Sequence, residues 1–297
     1  MAQVYDYAYF DGKIGPFREA NLSIGSSAVL YGLSVYTVFY VVPDDGRYRV
    51  FRLDKHYDRL HASAKIIGLE WPEKLDDDTF RSVMSDLIAA NKPTKDVFVR
   101  VTLHADGLVP GTRARGVHTQ LSAFVYAAEP IVKRDGVRLK TSQWRRVPDI
   151  SIPSRAKVNG AYVNSVLARQ DALDAGYDDC IFLDQAGHVC ELSAANIFMV
   201  RGGVLVTPDT SSDLLEGINR RAILELAREQ GVSVEERTVD LTELYIADEV
   251  FVCGTSAFVA SVSEIDGRVV GNGKRGPLTQ KLTDLHAYEL RSADTLL

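Results

Sequence analysis

The feature that most constrains the fold is a run of short apolar segments separated by glycine turns. Residues 178–208 read DDCIFLDQAGHVCELSAANIFMVRGGVLVTP, with turn pairs at Ala186-Gly187 and Gly202-Gly203. Short β-branched and apolar runs bounded by such turns are typical of strands. This part of the chain is therefore predicted to form a meander of strands in a sheet.

Further strands and helices are predicted on both sides of this meander. YAYFDGKIG predicts a hairpin with its turn at Asp11-Gly12, and SVYTVFYVV, YRVFRL, DVFVRVTLHA and LSAFVYAA predict strands. LDKHYDRLHASAKIIGL, DDDTFRSVMSDLIAANK, the segment after Lys157 and GINRRAILELAREQG have the apolar spacing of helices. The fold class is therefore α+β. We predict a small N-terminal α/β domain over residues 1–129, a linker over 130–136, and a larger C-terminal domain over 137–297.

Composition limits the classes of protein to which the chain can belong. The 297 residues are 46% hydrophobic and 25% charged, which is the profile of a globular protein. The net charge of −6 argues against a nucleic-acid partner, and no apolar run is long enough to cross a membrane. The three cysteines, Cys180, Cys190 and Cys253, lack metal-site spacing and predict reduced core residues of a cytoplasmic protein without a metal site.

One lysine stands in a context that suggests chemistry. Lys157 lies in SRAKVNGAYVNSVLARQDALDAG, just before Asn159-Gly160 and a predicted helix. By residue type alone a lysine is usually a solvated surface group. A functional lysine could instead form a Schiff base with a carbonyl such as that of pyridoxal phosphate. That role also requires a carboxylate for the pyridine nitrogen and an anion-binding site for the phosphate. CELSAAN, LLEGINRRAI and VFVCGTSA offer these groups, although each segment alone is equally consistent with an ordinary turn or helix start.

The order of these segments resembles one family over nearly the whole chain. HYDRLHASAKII, RAKVNGAYVNSVLARQDALDAGYDD, CELSAANIF, GVLVTP, LLEGINRRAI, YIADEVFVCGTSA and GPLTQKL occur in the order and spacing of the fold-type IV, branched-chain-aminotransferase-like pyridoxal phosphate enzymes. The resemblance implies their two-domain fold and pyridoxal 5'-phosphate as cofactor. It also implies a homodimer whose sites lie at the interface.

The resemblance assigns roles to individual residues. Lys157 is similar to the catalytic lysine that forms the Schiff base and moves the proton, and Glu191 to the acid that keeps the pyridine nitrogen protonated. The implied cofactor-binding residues are Arg59, Lys157, Tyr162, Glu191, Ile218, Asn219 and Thr255. Asn219 stands where the family often has threonine, and Asn196 closes the glutamate motif with a structural role.

The substrate pocket combines features of two groups within the family. KVNGAYVNS resembles the branched-chain enzymes, whereas Tyr36-Thr37-Val38-Phe39-Tyr40 replaces their usual Phe-Glu-Gly-Ile-Arg and resembles the (R)-selective amine transaminases. Phe98 stands where a tyrosine is usual, and Arg100 aligns with an arginine that binds the far carboxylate of 2-oxoglutarate. The implied substrate-binding residues are Tyr31, Tyr36, Val38, Tyr40, Phe98, Arg100, Thr255, Ser256 and Ala257.

These features together predict a transaminase that moves the amino group of L-leucine, L-isoleucine or L-valine to 2-oxoglutarate by a ping-pong mechanism. Activity toward (R)-primary amines is a secondary expectation. The alternatives are an (R)-amine or D-amino acid transaminase, a lyase of the aminodeoxychorismate lyase type, and a non-catalytic protein that kept the fold. Arg113 and Arg115, in HADGLVPGTRARG, are either a second carboxylate contact for the neighbouring subunit or solvated loop charges.

Overall fold

The computed structural model describes residues 3–108, 111–293 and 295–297. The chain forms two compact units. The first contains Met1–Glu129, Ala156–Ala161 and Glu289–Leu297, and the second contains Pro130–Arg155 and Tyr162–Tyr288. The short segment that carries Lys157 therefore belongs to the first unit, although most of the chain around it belongs to the second. The domain boundaries predicted above stay a prediction.

The first unit is built on a sheet in which, within the described residues, seven strands follow the order β16-β4-β3-β5-β6-β1-β2. The strands are β1 (Val4–Phe10), β2 (Lys13–Pro16), β3 (Ser34–Asp44), β4 (Arg47–Val50), β5 (Val97–Ala105), β6 (Thr119–Ala127) and β16 (Thr295–Leu296). The turn between β1 and β2 has positive φ at Asp11 and Gly12, as a tight hairpin requires. The predicted hairpin is confirmed.

Helices cover this sheet with their apolar faces. They are α1 (Ser27–Tyr31), α2 (Leu53–Ile67) and α3 (Asp77–Asn91), and a short 3-10 helix spans Phe17–Glu19. Helix α2 packs against β3, and α3 packs against β1 and β6. Leu60 and Ala64 of α2 and Met84 and Leu87 of α3 are fully buried, as the helical spacing of apolar residues predicts.

The lysine segment extends the hydrogen bonding of β3. The Tyr36 amide donates to the Lys157 carbonyl at 3.0 Å, and Val158 forms an antiparallel bridge with Val35. Gly32 has φ +65°, and a Cβ there would lie 2.8 Å from the Gly160 Cα. Glycine is therefore required at this close approach of two backbones, which places Lys157 beside the start of β3.

The second unit contains a sheet in which the described strands follow the order β12-β11-β10-β13-β14-β7-β8-β9, with β15 paired to β14. The strands are β7 (Val137–Thr141), β8 (Asp179–Leu183), β9 (Val189–Leu192), β10 (Asn196–Arg201), β11 (Val204–Thr207), β12 (Val234–Glu236), β13 (Glu249–Gly254), β14 (Phe258–Ile265) and β15 (Arg268–Val269). The predicted meander forms β8 to β11.

Helices of the second unit pack against this sheet. They are α4 (Tyr162–Asp174), α5 (Ile218–Glu229), α6 (Leu241–Tyr245) and α7 (Pro277–Arg291), of which the residues up to Tyr288 belong to this unit. Ile223 and Leu226 of α5 and Leu282 of α7 join one core cluster with strands β10, β11, β13 and β14, and Ala168 and Ala172 of α4 join another with β8 and β9. The predicted α+β fold is confirmed.

Two further features bear on the predictions. Cys180, Cys190 and Cys253 are buried and unlinked by disulfides, as predicted. Among the described residues, no helix has both the length and the apolar content that a membrane span requires.

Candidate active site

Lys157 lies in the first unit against β3 and α2. Its backbone amide donates to the Ser63 hydroxyl at 3.1 Å, so α2 holds the main chain at the lysine. Its Nζ lies 4.9 Å from the centroid of the Tyr36 ring, within the range of a cation–π contact. The side chain is half-buried, and its amine is held next to an aromatic surface.

A buried chain of hydrogen bonds connects α2 to β3 close to this lysine. An Arg59 guanidinium nitrogen donates to the Thr37 hydroxyl at 3.1 Å, and this hydroxyl lies 2.7 Å from His56 Nδ1. Burial, then the positive charges of Arg59 and Lys157, lower the pKa of His56 well below its usual value. Arg59 can only donate, so the Thr37 hydroxyl accepts from it, and the same hydroxyl is hydrogen-bonded to the neutral His56 ring. We call these three residues the arginine relay.

Arg100 is held by the same part of β3 and by the lysine segment. Its guanidinium carbon lies 3.7 Å from the Tyr36 ring centroid, and one of its nitrogens donates to Asn159 Oδ1 at 2.6 Å. Asn159 in turn donates to the Ser34 hydroxyl at 2.7 Å. Tyr36 therefore contacts both Arg100 and Lys157, and these two cations lie near one aromatic ring.

The predicted pocket wall forms cross-strand pairs. Val38 pairs with Arg100, and Tyr40 pairs with Phe98, on the antiparallel ladder between β3 and β5. The Tyr40 and Phe98 rings pack with their centroids 5.7 Å apart. The Tyr40 hydroxyl donates to the Asp96 carboxylate, which also forms a 2.7 Å ion pair with Arg291. The polar end of Tyr40 is thus engaged with Asp96, so its ring is the part that can form an apolar wall.

The remaining predicted residues of the first unit are Tyr31, at the end of α1, and Arg113 and Arg115, in the loop before β6. Tyr31 is exposed at the end of α1, and its hydroxyl accepts a hydrogen bond of 3.1 Å from the Gly111 amide. Arg113 Nε donates to the Arg115 carbonyl at 2.7 Å, so this arginine folds back onto its own loop. Val109 and Pro110 of this loop lie outside the described residues.

Glu191, in β9, is one of the buried acids of the second unit. Its side chain is 8% exposed and forms a 3.0 Å ion pair with Arg146. The Leu215 amide and the Asn196 side-chain amide also donate to it, at 3.2 and 3.3 Å. These three donors stabilise the negative charge of a carboxylate that would be costly to bury alone. A Cβ on Gly217 would lie 2.1 Å from Asn196 Oδ1, so glycine is needed where the chain passes this residue.

A second buried network lies at the start of α5. Gly217 is the N-cap of this helix and makes no side-chain capping bond, and the helix begins at Ile218. The Asn219 side-chain amide donates to the Thr255 hydroxyl at 3.2 Å, and its carbonyl lies 2.7 Å from His286 Nε2. The predicted residues Asn219 and Thr255 are thus in direct contact, and the Asn219 side chain is engaged with protein groups.

The other predicted residues of the second unit have different surroundings. Tyr162 is half-buried and begins α4. Ser256 accepts a backbone hydrogen bond from Ile131 at 3.0 Å, and Ala257 is fully buried in the core. Within the first unit the structure brings together Lys157, Arg59, Arg100 and Tyr36, and within the second it brings together Asn219 and Thr255.

Sequence reasoning missed several residues that hold these groups in place. They are Thr37 and His56 beside Arg59, Asn159 beside Arg100, Arg146 beside Glu191, and His286 beside Asn219. The one available signal was that His56 and Arg59, spaced by three residues, share a face of α2. Arg146 and His286 are distant along the chain from Glu191 and Asn219 and leave no local pattern.

Comparison with known proteins gives a consistent family. Residues 34–265 match the model for amino-transferase class IV. A probable branched-chain-amino-acid aminotransferase from Synechocystis is 35% identical, over 95% of this chain and 92% of that protein. The branched-chain aminotransferase of Thermoproteus uzoniensis with norvaline superposes with a TM-score of 0.91 at 33% identity, covering 98% of this chain and 96% of that one. The branched-chain amino acid aminotransferase of Thermobaculum terrenum, in its PLP-bound holo-form, gives 0.90 at 31% identity, with 98% and 95% covered.

Proposed function

The chain belongs to the class IV aminotransferases, and on that premise we propose that it moves the amino group of L-leucine, L-isoleucine or L-valine to 2-oxoglutarate, with pyridoxal 5'-phosphate as cofactor. The observation that carries this proposal is full-length similarity to branched-chain aminotransferases together with the set of charged groups described above. The (R)-amine, D-amino acid and lyase alternatives are not favoured, because the matched relatives carry the branched-chain name.

The residues present suit the cofactor that the family uses. Pyridoxal phosphate has an anionic phosphate, a pyridine nitrogen that carries a proton, and an aldehyde that reacts with amines. In the first unit burial, and then the charges of Arg59 and Lys157, lower the pKa of His56, so both cationic side chains lie close to it. The Arg59 guanidinium suits the phosphate, and the Lys157 amine suits the aldehyde. In the second unit Glu191 is a buried carboxylate, which suits the protonated nitrogen, and Asn219 and Thr255 supply polar groups at a helix start.

The bound cofactor supplies an electron sink that stabilises negative charge on the substrate Cα. The proposed work of the chain is to bind, orient and move protons. Lys157 Nζ takes the proton from Cα of the donor and returns one to the acceptor, in the reverse half-reaction. Glu191 keeps the pyridine nitrogen protonated through its negative charge, and Arg59 holds the phosphate, so that neither group shifts while the proton moves.

Substrate selection is proposed to depend on the face of β3 and β5 that carries Tyr36, Val38, Tyr40, Phe98 and Arg100. Arg100 would bind the far carboxylate of 2-oxoglutarate or glutamate, since its guanidinium is already oriented by Tyr36 and Asn159. The rings of Tyr40 and Phe98 and the side chain of Val38 would contact the aliphatic group of leucine. One pocket must accept both kinds of side chain, because the two half-reactions of a ping-pong mechanism use the same site.

A second copy of this chain is the proposed macromolecular partner. Helix α4 exposes Val163, Val166 and Leu167, which have the spacing of one helix face. In the other unit α1 exposes Val29 and Leu30. Exposed apolar groups in such clusters mark interaction surfaces, which supports a homodimer. Light scattering should give twice the chain mass, and Val166→Glu should reduce it. A cytoplasmic location stays a prediction from the reduced cysteines.

The decisive experiment follows the visible spectrum of the cofactor-loaded protein while one amine is added without acceptor. L-leucine, (R)-1-phenylethylamine and D-alanine are compared in separate reactions, with Lys157→Gln as the control in which the spectrum should stay unchanged. We expect L-leucine to convert the cofactor fastest, and then 2-oxoglutarate to restore the spectrum with formation of L-glutamate. An equal or faster reaction with the (R)-amine would reject the branched-chain assignment.

A further inference from the structure

Two buried side chains and one half-buried side chain of the second unit form a continuous hydrogen-bonded chain. His286 of α7 contacts Asn219 of α5 at 2.7 Å, and Asn219 contacts Thr255, which follows β13, at 3.2 Å. His286 and Asn219 are only 2% and 4% exposed, so water does not compete for these bonds. We call this set the threonine relay.

The direction of each bond in the threonine relay follows from the atoms involved. Asn219 Oδ1 can only accept, so His286 Nε2 must donate to it. The Asn219 amide nitrogen can only donate, so Thr255 Oγ1 accepts from it. A hydroxyl has a single proton, and the proton of Thr255 is therefore directed to an acceptor other than Asn219. Oxygens of a phosphate are acceptors only, so a hydroxyl that binds one must present its proton in this way.

We infer that His286 and Asn219 are positioning residues that hold the Thr255 hydroxyl as a hydrogen-bond donor to the phosphate of the cofactor. This inference rests on the proposed function, because it takes the phosphate of pyridoxal phosphate as the acceptor. His286 does so by fixing the orientation of the Asn219 amide. Without its N–H, the amide can rotate and present its carbonyl to Thr255, which would then donate its proton inward.

The family often has threonine at position 219, and a threonine hydroxyl could accept from His286 and donate to Thr255 through one oxygen. The primary amide of Asn219 has both functions on separate atoms. The pair of Asn219 and His286 therefore acts as a unit, and the effect of changing one should depend on the other.

The test compares His286→Phe with His286→Gln, whose side-chain N–H can replace that of Nε2. Apo-proteins are titrated with pyridoxal 5'-phosphate and with pyridoxal, which lacks the phosphate, and binding is followed by quenching of protein fluorescence. We expect H286F to bind pyridoxal phosphate about tenfold more weakly than the wild type, and H286Q to stay within about threefold. Neither variant should change the affinity for pyridoxal. Urea unfolding of the apo-proteins is measured in parallel.

The possible outcomes separate this inference from its premise. If H286F binds both pyridoxal phosphate and pyridoxal more weakly by the same factor, His286 has a structural role only. If H286F binds both compounds as the wild type does, His286 has no role in binding. Either result overturns the inference. If H286F does not fold, Asn219→Leu, which removes the amide at nearly the same size, is used instead; it should weaken the binding of pyridoxal phosphate alone, and equal weakening for pyridoxal would overturn the inference. A wild-type protein that binds neither compound would instead reject the proposed function.

Discussion

The arginine relay allows a prediction whose size follows from the geometry. Thr37→Val replaces the hydroxyl with a methyl group of nearly the same shape. It removes the 3.1 Å bond from Arg59 and the 2.7 Å contact with His56 Nδ1. Thr37 is completely buried and His56 is 1% exposed, so no water can replace the lost partner. The change therefore removes one hydrogen-bond partner from the buried His56 ring and one from the Arg59 guanidinium.

Two effects of different size should follow from Thr37→Val. A buried polar group that loses its hydrogen-bond partner destabilises the fold by about 1–3 kcal/mol. Arg59 also loses an anchor, and ordering a long side chain costs up to about 2 kcal/mol, which would then oppose cofactor binding. Since 1.4 kcal/mol corresponds to about a factor of ten, we expect pyridoxal phosphate to bind roughly tenfold more weakly.

The assay pairs Thr37→Val with Thr37→Ser, which keeps the hydroxyl and loses only a methyl group. Urea unfolding of the apo-proteins measures stability, and fluorescence titration measures cofactor affinity. The serine variant should resemble the wild type in affinity, and the valine variant should lose both stability and affinity. The reasoning is refuted if valine and serine variants bind pyridoxal phosphate equally well, because the hydroxyl would then not orient Arg59.

Three other changes give predictions of defined sign. Gly217→Ala should lower the unfolding free energy by about 1–3 kcal/mol, because its Cβ would lie 2.1 Å from Asn196 Oδ1, whereas Gly15→Ala, with no atom within 4 Å, should not. Burial first, and then the charge of Arg100, lower the pKa of His104 to about 4 in the folded chain. The imidazole is therefore protonated below pH 6.5 in the unfolded chain but only below about pH 4 in the folded chain. Stability attributable to His104 should be constant above pH 6.5 and fall by about 2–3 kcal/mol between pH 6.5 and 4, and urea unfolding should find this part of the acid sensitivity missing in His104→Gln. Arg100→Met should raise KM for 2-oxoglutarate at least about tenfold and leave KM for 4-methyl-2-oxopentanoate within about threefold in steady-state assays; a parallel rise in both would contradict the proposed role.

Much of the fold was predictable because its signals are local. The β-branched and aromatic residues of SVYTVFYVV and DVFVRVTLHA predict β3 and β5, and the spacing of Leu60 and Ala64 predicts the buried face of α2. Helix α1 was not predicted, since its five residues are too few to show a helical period. Sheet order also has no local signal, because β16 reaches β4 from the other end of the chain.

The candidate site also contains some residues that could be predicted from local sequence signals and others that could not. Lys157, Glu191 and Thr255 stand in motifs whose order is informative, so they could be proposed from the sequence. Arg146 and His286 could not, because each meets its partner through packing of elements far apart in the chain. Their residue types carry no information until the fold shows that Arg146 faces a buried carboxylate and that His286 faces a buried amide.

The two relays share a physical design although they lie in different units. In each, an uncharged residue stands where the branched-chain family has another type: Thr37 in place of glutamate, and Asn219 in place of threonine. In each, a buried histidine contacts this neutral residue: His56 is hydrogen-bonded to Thr37, and His286 donates to Asn219. A glutamate at position 37 would offset the charge of Arg59, whereas threonine accepts from the guanidinium without adding negative charge beside it. Asparagine at position 219 is as neutral as threonine, and its amide provides a separate donor and acceptor for Thr255 and His286.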